Sequence, residues 1–207
     1  MTIIDDLKWR YATKQFDASK VISDSDLETL KEAIRLTPTS YGLQPFKVKI
    51  ITDEKIKNKL KEFSYNQNQI TEASHIFIFC NYTKIDKTFI ENYIKLMANT
   101  RSQNIDELKG YGDFMISQIC NLSQADTQIW AAKQSYMGMT NLLTACANLK
   151  IDACPIEGFI SEKYNEILSI NTTDLKSVVV VAVGYRSDDD DSQFLNKVRL
   201  PHSDLFL

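Results

Sequence analysis

The segment from Ser123 to Leu149 constrains the fold more than any other stretch. Ile129, Ala132, Tyr136, Met139, Leu143 and Cys146 recur at helical spacing, and Leu142 and Ala145 widen the apolar surface beyond a single stripe. A helix this long, apolar on more than one side, needs a body to lie against on each side. It runs through the middle of a monomer core, or one of its faces meets a second chain. Gly138 and Ala145 leave room for another backbone to approach. Three β-type segments supply the counterpart. Phe46 to Thr52 alternates as a strand, while His75 to Tyr82 and Ser177 to Tyr185 are apolar throughout, as strands covered on both faces are.

At 207 residues, 43% hydrophobic and 25% charged, the chain can bury one sizeable core, and no linker divides it. A single domain over residues 1–207 is expected. The net charge of -3 argues against wholesale nucleic-acid binding, which calls for a basic face. Clustered cations can still hold a small anion. The acidic start, Met1 to Leu7, lacks the basic and apolar regions of a signal peptide, and the longest aliphatic run, Val178 to Val183, is too short to cross a bilayer. A cytoplasmic protein with no membrane partner is expected. Cys80, Cys120, Cys146 and Cys154 lie scattered among apolar neighbours and read as reduced core residues, and two histidines are too few for an imidazole metal site.

The remaining elements follow from caps and periodicity. Thr2 to Tyr11 predicts a short helix, Asp24 to Leu36 an amphipathic one capped by Ser23, and Asp53 to Phe63 a lysine-rich surface helix. Asp86 to Gln118 predicts polar helices broken at Lys109-Gly-Tyr-Gly112, and Ser161 caps a helix through Leu168. The two glycines do not make a dinucleotide-binding loop, since no strand precedes them and Met115 stands where the third glycine would be. His75 reads as a structural histidine. Asp188 to Asp191, without the glycine and glutamate of a calcium loop, reads as a solvated turn.

Several stretches carry groups suited to a ligand. Directly behind the long helix, Asp152 to Phe159 reads as a turn: Pro155 fixes one torsion and removes a donor, and Gly158 admits a close approach. Such a turn can offer bare main-chain N–H groups to a flat ligand, though the octet alone favours an ordinary helix-to-strand connection. Arg10 and Lys14 are close enough in sequence to converge on one anion, although taken alone they read as solvated surface charges, and Lys197 and Arg199 fall on the same side of an extended segment. Thr37 to Phe46, with prolines at both ends, predicts an irregular loop whose Thr39, Ser40 and Gln44 can hydrogen-bond a polar ligand. Tyr65 to Gln69 is a cluster of amides, each with donor and acceptor. The closing Leu205-Phe-Leu207 is apolar and calls for a surface to lie on.

Taken in order, Arg10 to Asp17, Thr37 to Phe46, Ala73 to Cys80, Trp130 to Tyr136, Asp152 to Phe159, Val178 to Gly184 and Lys197 to Pro201 resemble the nitroreductase family, in its oxygen-insensitive NAD(P)H nitroreductase and dihydropteridine reductase branch. The resemblance implies an α+β fold, a central mainly antiparallel sheet wrapped by helices. It also implies a homodimer with FMN at the interface and the C-terminal tail exchanged onto the partner. Arg10, Lys197 and Arg199 match phosphate ligands, Lys14 a lysine near N1 and O2 of the ring, and Asn66 an amide at the pyrimidine edge. Glu157 and Gly158 match main-chain contacts to N5 and O4, and Thr39 and Ser40 a loop that reaches the other subunit's FMN. Tyr11, Ala12, Gln44, Gln69, Gln134, Pro155 and Ile156 complete the implied cofactor-binding set. Ala12 stands where a serine is common, Gln69 where relatives carry a second lysine, and Gly42-Leu43 replaces a more polar pair. The implied activity is ping-pong reduction of nitroaromatics, quinones or similar flat acceptors, with NADH or NADPH as exchanging donor and no acid-base side chain. Other chemistry on the same scaffold, such as enone reduction, dehalogenation or flavin breakdown, stays open at this stage, as does flavin binding without turnover.

Overall fold

Four strands, β1 (Phe46–Ile51), β2 (His75–Tyr82), β3 (Asp152–Ile156) and β4 (Leu175–Gly184), form one antiparallel sheet in the order β1-β2-β4-β3. The computed structural model describes residues 2–207. The central position of β2 and β4 follows from their unbroken apolar runs, which leave no polar side for water. Alternate residues serve opposite faces. Ile76, Ile78, Val180 and Ala182 join Leu60, Ile70 and Tyr164 on one face, while Phe77, Phe79, Val179 and Val181 join Leu30, Ile34, Leu142 and Cys146 on the other.

Helices α3 (Glu54–Glu62), α4 (Gln69–Glu72) and α8 (Ser161–Ile167) belong to the first face, and α2 (Asp24–Arg35) and α7 (Gln124–Leu149) to the second. The cap announced at Ser23 is formed, accepting from Asp26 N at 3.1 Å; Asp53 accepts in the same way from Ile56 N at 2.9 Å and Ser123 from Asp126 N at 3.1 Å. Helix α1 (Ile3–Trp9) is tied to the end of α7, where the buried Asp6 carboxylate accepts from Asn148 Nδ2 at 3.0 Å and from Lys150 Nζ. Helices α5 (Lys87–Arg101) and α6 (Ile105–Ile119) make a satellite core through Ile90, Ile94, Met115 and Ile119, and α9 (His202–Leu205) is a short exposed turn.

Four local expectations need correction. Asp152–Ile156 is a strand rather than a turn, with Pro155 opposite Val181. Because β3 lies at the sheet edge, a missing N–H is tolerated there. The glycines at 110 and 112 do not break a helix: α6 runs through both, and the interruption falls at Ser102, in the left-handed conformation. Gly112 packs on Ile94, whose Cγ1 would stand 3.2 Å from an added Cβ, so close helix packing offsets a propensity cost of about 1 kcal/mol. Ser161 is the first residue of α8 rather than its cap; its hydroxyl donates to Ser177 O at 2.7 Å. The buried line of α7 runs through Ala131, Ser135, Gly138, Leu142 and Cys146, while Ile129 is 55% exposed. Small residues let α7 lie close to the sheet, which turns the larger ones to its flanks.

Candidate functional site

The site is built along β3. Ala12 forms a parallel bridge with Ala153 and Phe16 an antiparallel bridge with Arg186, so the segment from Arg10 to Phe16 is laid along the outer edge of the sheet. Arg10 is half-buried, with one guanidinium N–H donated to Tyr11 O at 3.2 Å. Burial and the nearby Arg199 lower its pKa, and burial together with Arg10, Arg199 and Arg186 does the same for Lys197. Like charges from opposite ends of the sequence are thus brought together. Lys14 and Arg10 also bear on Cys154, opposing the burial that raises its thiol pKa. Among the described residues, none of Arg10, Lys14, Lys197 and Arg199 has a salt-bridge partner. An assembled cationic group without carboxylate partners is suited to an anion from outside the chain.

The other end of β3 carries the amides. Glu157 O accepts from Phe159 N at 2.9 Å, Gly158 O from Gln67 Nε2 at 2.8 Å, and the Glu157 carboxylate from Tyr136 Oη at 2.5 Å. Burial, then the bond to Glu157, pushes the Tyr136 hydroxyl up to about 12. The acceptors are filled, yet among the described residues the N–H groups of Glu157 and Gly158 donate to no group. Main-chain donors are obligatory hydrogen-bonding groups, so a rigidly held free pair is a ready site for acceptor atoms. The turn after α3 packs against this loop: an added Gly158 Cβ would stand 3.4 Å from Gln67 Nε2 and 3.6 Å from Tyr65 Cδ2. In that turn Tyr65 (φ 51°) and Asn66 (φ 56°) are both left-handed, a strained state for non-glycine residues. Asn66 is exposed, and among the described residues its side-chain amide has no hydrogen-bond partner. Five residues separate Ala153 from Gly158, roughly 16 Å along an extended strand. The arrangement offers cations at one end and neutral donors at the other.

Other expected residues are placed elsewhere. Gln134, 6% exposed, accepts from Ser40 N at 2.9 Å and donates to Trp130 O at 3.3 Å. Thr39 Oγ1 accepts from Gln44 N at 3.0 Å, and Gln44 Nε2 donates to Arg35 O at 2.7 Å. This loop, with Tyr41, Gly42 and Gln44 at positive φ, packs through Leu43 onto the α5–α6 core. Among the described residues, no hydrogen bond links it to the four cations. Gln69 is buried at the start of α4, Ile156 lies in the core and Pro155 is half-buried. A cavity of about 520 Å³ lies between α5 and α6, floored by Ile90, Ile94 and Ile116, and none of the four cations lines it.

Sequence reasoning missed three supports. Asp190, expected in a solvated turn, is 1% exposed and accepts from Tyr11 Oη at 2.9 Å, Lys14 N at 2.7 Å and Gln15 N at 3.2 Å. Arg186 bonds Asp152 through Nε at 2.9 Å, with Nη2 2.6 Å from the same oxygen but off the hydrogen-bonding direction. Its guanidinium also lies over the rings of Trp9 and Tyr11, at 4.4 and 4.6 Å. Gln67, rather than its neighbours in the amide cluster, holds Gly158. No local signal marks these roles in the sequence, since each depends on partners distant in the chain.

A four-stranded antiparallel sheet wrapped by helices, with a cationic group and free amides along one edge strand, defines an α+β protein of the nitroreductase-like fold. Residues 7–185 match the model of the nitroreductase family, and the chain belongs to that family. A Staphylococcus haemolyticus protein provisionally named an NAD(P)H nitroreductase is 34% identical over 99% of this chain and 95% of its own length. The Bacillus subtilis protein YfkO, named in the same provisional way, is 34% identical over 90% of each chain. Among solved structures, a nitroreductase in complex with FMN from Exiguobacterium sibiricum superposes with a TM-score of 0.85 at 20% identity, covering 99% of this chain and 96% of that one. A Staphylococcus epidermidis structure titled as an NAD(P)H:FMN oxidoreductase gives 0.86 at 22%, covering 99% and 94%. These two establish the shared fold.

Proposed function

We propose that the protein is an FMN-dependent NAD(P)H oxidoreductase that reduces nitroaromatics, quinones or similar flat acceptors by a ping-pong scheme. The observation that carries this reading is the unpaired cationic group of Arg10, Lys14, Lys197 and Arg199 sharing an edge strand with the two free amides of Glu157 and Gly158. The residues fit FMN: the donor set pairs a place for a dianionic phosphate with uncharged donors for the polar edge of a ring. Bound FMN supplies the two-electron chemistry between NADH or NADPH and the acceptor. The chain supplies position and field. Arg10, Lys197 and Arg199 hold the phosphate, and Lys14 sets positive charge near the pyrimidine end without reorganisation. Glu157 and Gly158 donate their N–H groups to the ring edge, fixed by Tyr136 and Gln67, and Asn66 adds an amide beside them. No side chain is assigned a proton-transfer role.

The reading includes a homodimer, supported by apolar side chains that the single chain leaves uncovered. Phe194, Leu195, Val198 and Phe206 are 75%, 74%, 87% and 64% exposed, and β1 is a sheet edge on which no strand lies. In that assembly Thr39 and Ser40 reach the partner's FMN, which accounts for their lying apart from the cations of their own chain. Initial rates with NADH or NADPH varied against a nitroaromatic or quinone test the scheme. Parallel double-reciprocal lines are expected, and intersecting lines, which require a ternary complex, contradict it.

A further inference from the structure

We propose that Asp190 is a positioning residue that joins the two cationic arms of the anion site, so that Arg10 and Lys14 on one side and Lys197 and Arg199 on the other act as one clamp. The inference rests on the FMN reading above and assigns the part of the fold that makes it work. One carboxylate oxygen takes three donors from the N-terminal arm, Tyr11 Oη, Lys14 N and Gln15 N, at 2.9, 2.7 and 3.2 Å. The other takes Ser192 N at 3.0 Å, in the 3-10 turn Asp191–Phe194 that leads to Lys197 and Arg199. One side chain therefore spans both arms. Gln15 O also accepts from Ser187 N at 3.0 Å, so Asp190 closes a connection the backbone begins.

The position is buried and its donors are neutral. At 1% exposure a carboxylate loses nearly all its water, and such a group is retained only where hydrogen bonds replace that water. Asp190 forms no salt bridge among the described residues, so hydrogen bonds alone hold it. Those cations repel one another when no anion is bound: Arg199 disfavours the charged form of Arg10, and both disfavour that of Lys197. Hydrogen bonds fixed at the root of both arms hold them together against this repulsion without occupying the place of the anion. Tyr11 is held in turn by its ring under Arg186 and its hydroxyl on Asp190, which gives the N-terminal arm a second anchor.

Comparing FMN with riboflavin, which lacks the phosphate, separates positioning of the clamp from general loss of structure. Both flavins are titrated into the full-length protein stripped of flavin, as wild type, Asp190→Asn and Asp190→Ala. With the two arms uncoupled, FMN affinity is expected to fall about tenfold, about 1.4 kcal/mol, in Asp190→Ala. Riboflavin affinity falls far less, and Asp190→Asn lies between. Equal weakening of both flavins, or unchanged FMN affinity, overturns the proposal. If Asp190→Ala does not fold, Tyr11→Phe, which removes one donor and keeps the carboxylate, is expected to lower the preference for FMN over riboflavin; an unchanged preference overturns the proposal. Wild type that binds FMN no better than riboflavin contradicts the phosphate reading itself, whereas preference kept in every variant contradicts only the role of Asp190.

Discussion

Thr13, between Ala12 on the sheet edge and Lys14, buries its hydroxyl completely and gives it no hydrogen-bond partner. A buried unpaired hydroxyl costs about 1–3 kcal/mol, so the isosteric Thr13→Val is expected to leave the thermal midpoint of the flavin-free protein unchanged or raised. A clear drop would mean that the hydroxyl has a partner. The carboxylates nearby set the response to acid. Hydrogen bonds from Lys150 and then Asn148 lower the pKa of Asp6; burial pushes Asp190 up, but the donors Lys14 N, Tyr11 Oη, Gln15 N and Ser192 outweigh it, so both lie below 3.8. A lowered pKa contributes stability that is present above the unfolded value and lost as pH falls through the folded one. The thermal midpoint of wild type is therefore expected to hold from neutral pH down to the carboxylate range and fall below 3.8, with Asp190→Asn less sensitive to acid. Equal acid sensitivity in the two proteins would contradict this. Asp190 also shows where residue-level reading ends. Four aspartates in a row look alike, and the buried one is chosen by partners up to 179 positions away.

At the scale of elements, most of the fold was legible because caps and periodicity are local. Ser23 announces one helix by its cap, apolar spacing announces the long one from Ser123 to Leu149, and the unbroken apolar runs of β2 and β4 announce the central strands. The misreadings share one cause. Proline and glycine report what the backbone cannot do in isolation, whereas Pro155 sits on a free edge and Gly112 under a neighbouring helix, where tertiary contact removes the penalty. The same reasoning makes Gly138 the most constrained position of α7. An added Cβ would stand 2.9 Å from Phe46 Cζ and 3.1 Å from Phe79 Cε1, at the contact of α7 with β1 and β2. Gly138→Ala therefore gains helix propensity but overpacks the sheet, and a net loss of about 1–3 kcal/mol in denaturant unfolding is expected. A stabilised variant would show that the rings move aside freely.

At the scale of the molecule, the cations, the free amides and the left-handed turn at Asn66 come from separate parts of the sequence and meet along β3. The cationic part of this site was legible from residue types at matching positions. The support given by Tyr136, Gln67 and Asp190 was not, since it depends on which side chains the sheet edge brings into reach. The proposed dimer assigns the loop of Thr39 and Ser40 to the site of the second copy. Deleting residues 205–207 is accordingly expected to shift the protein from dimer toward monomer in light scattering coupled to size exclusion, and an unaltered dimer would remove the tail from the interface.

The central claim is that these parts assemble around one FMN, and the absorbance spectrum of the purified protein under anaerobic conditions tests it most directly. The account predicts a bound-flavin spectrum that NADH or NADPH bleaches and a nitroaromatic or quinone restores. Protein that stays colourless after incubation with FMN, or flavin that neither nicotinamide nucleotide bleaches, would contradict it.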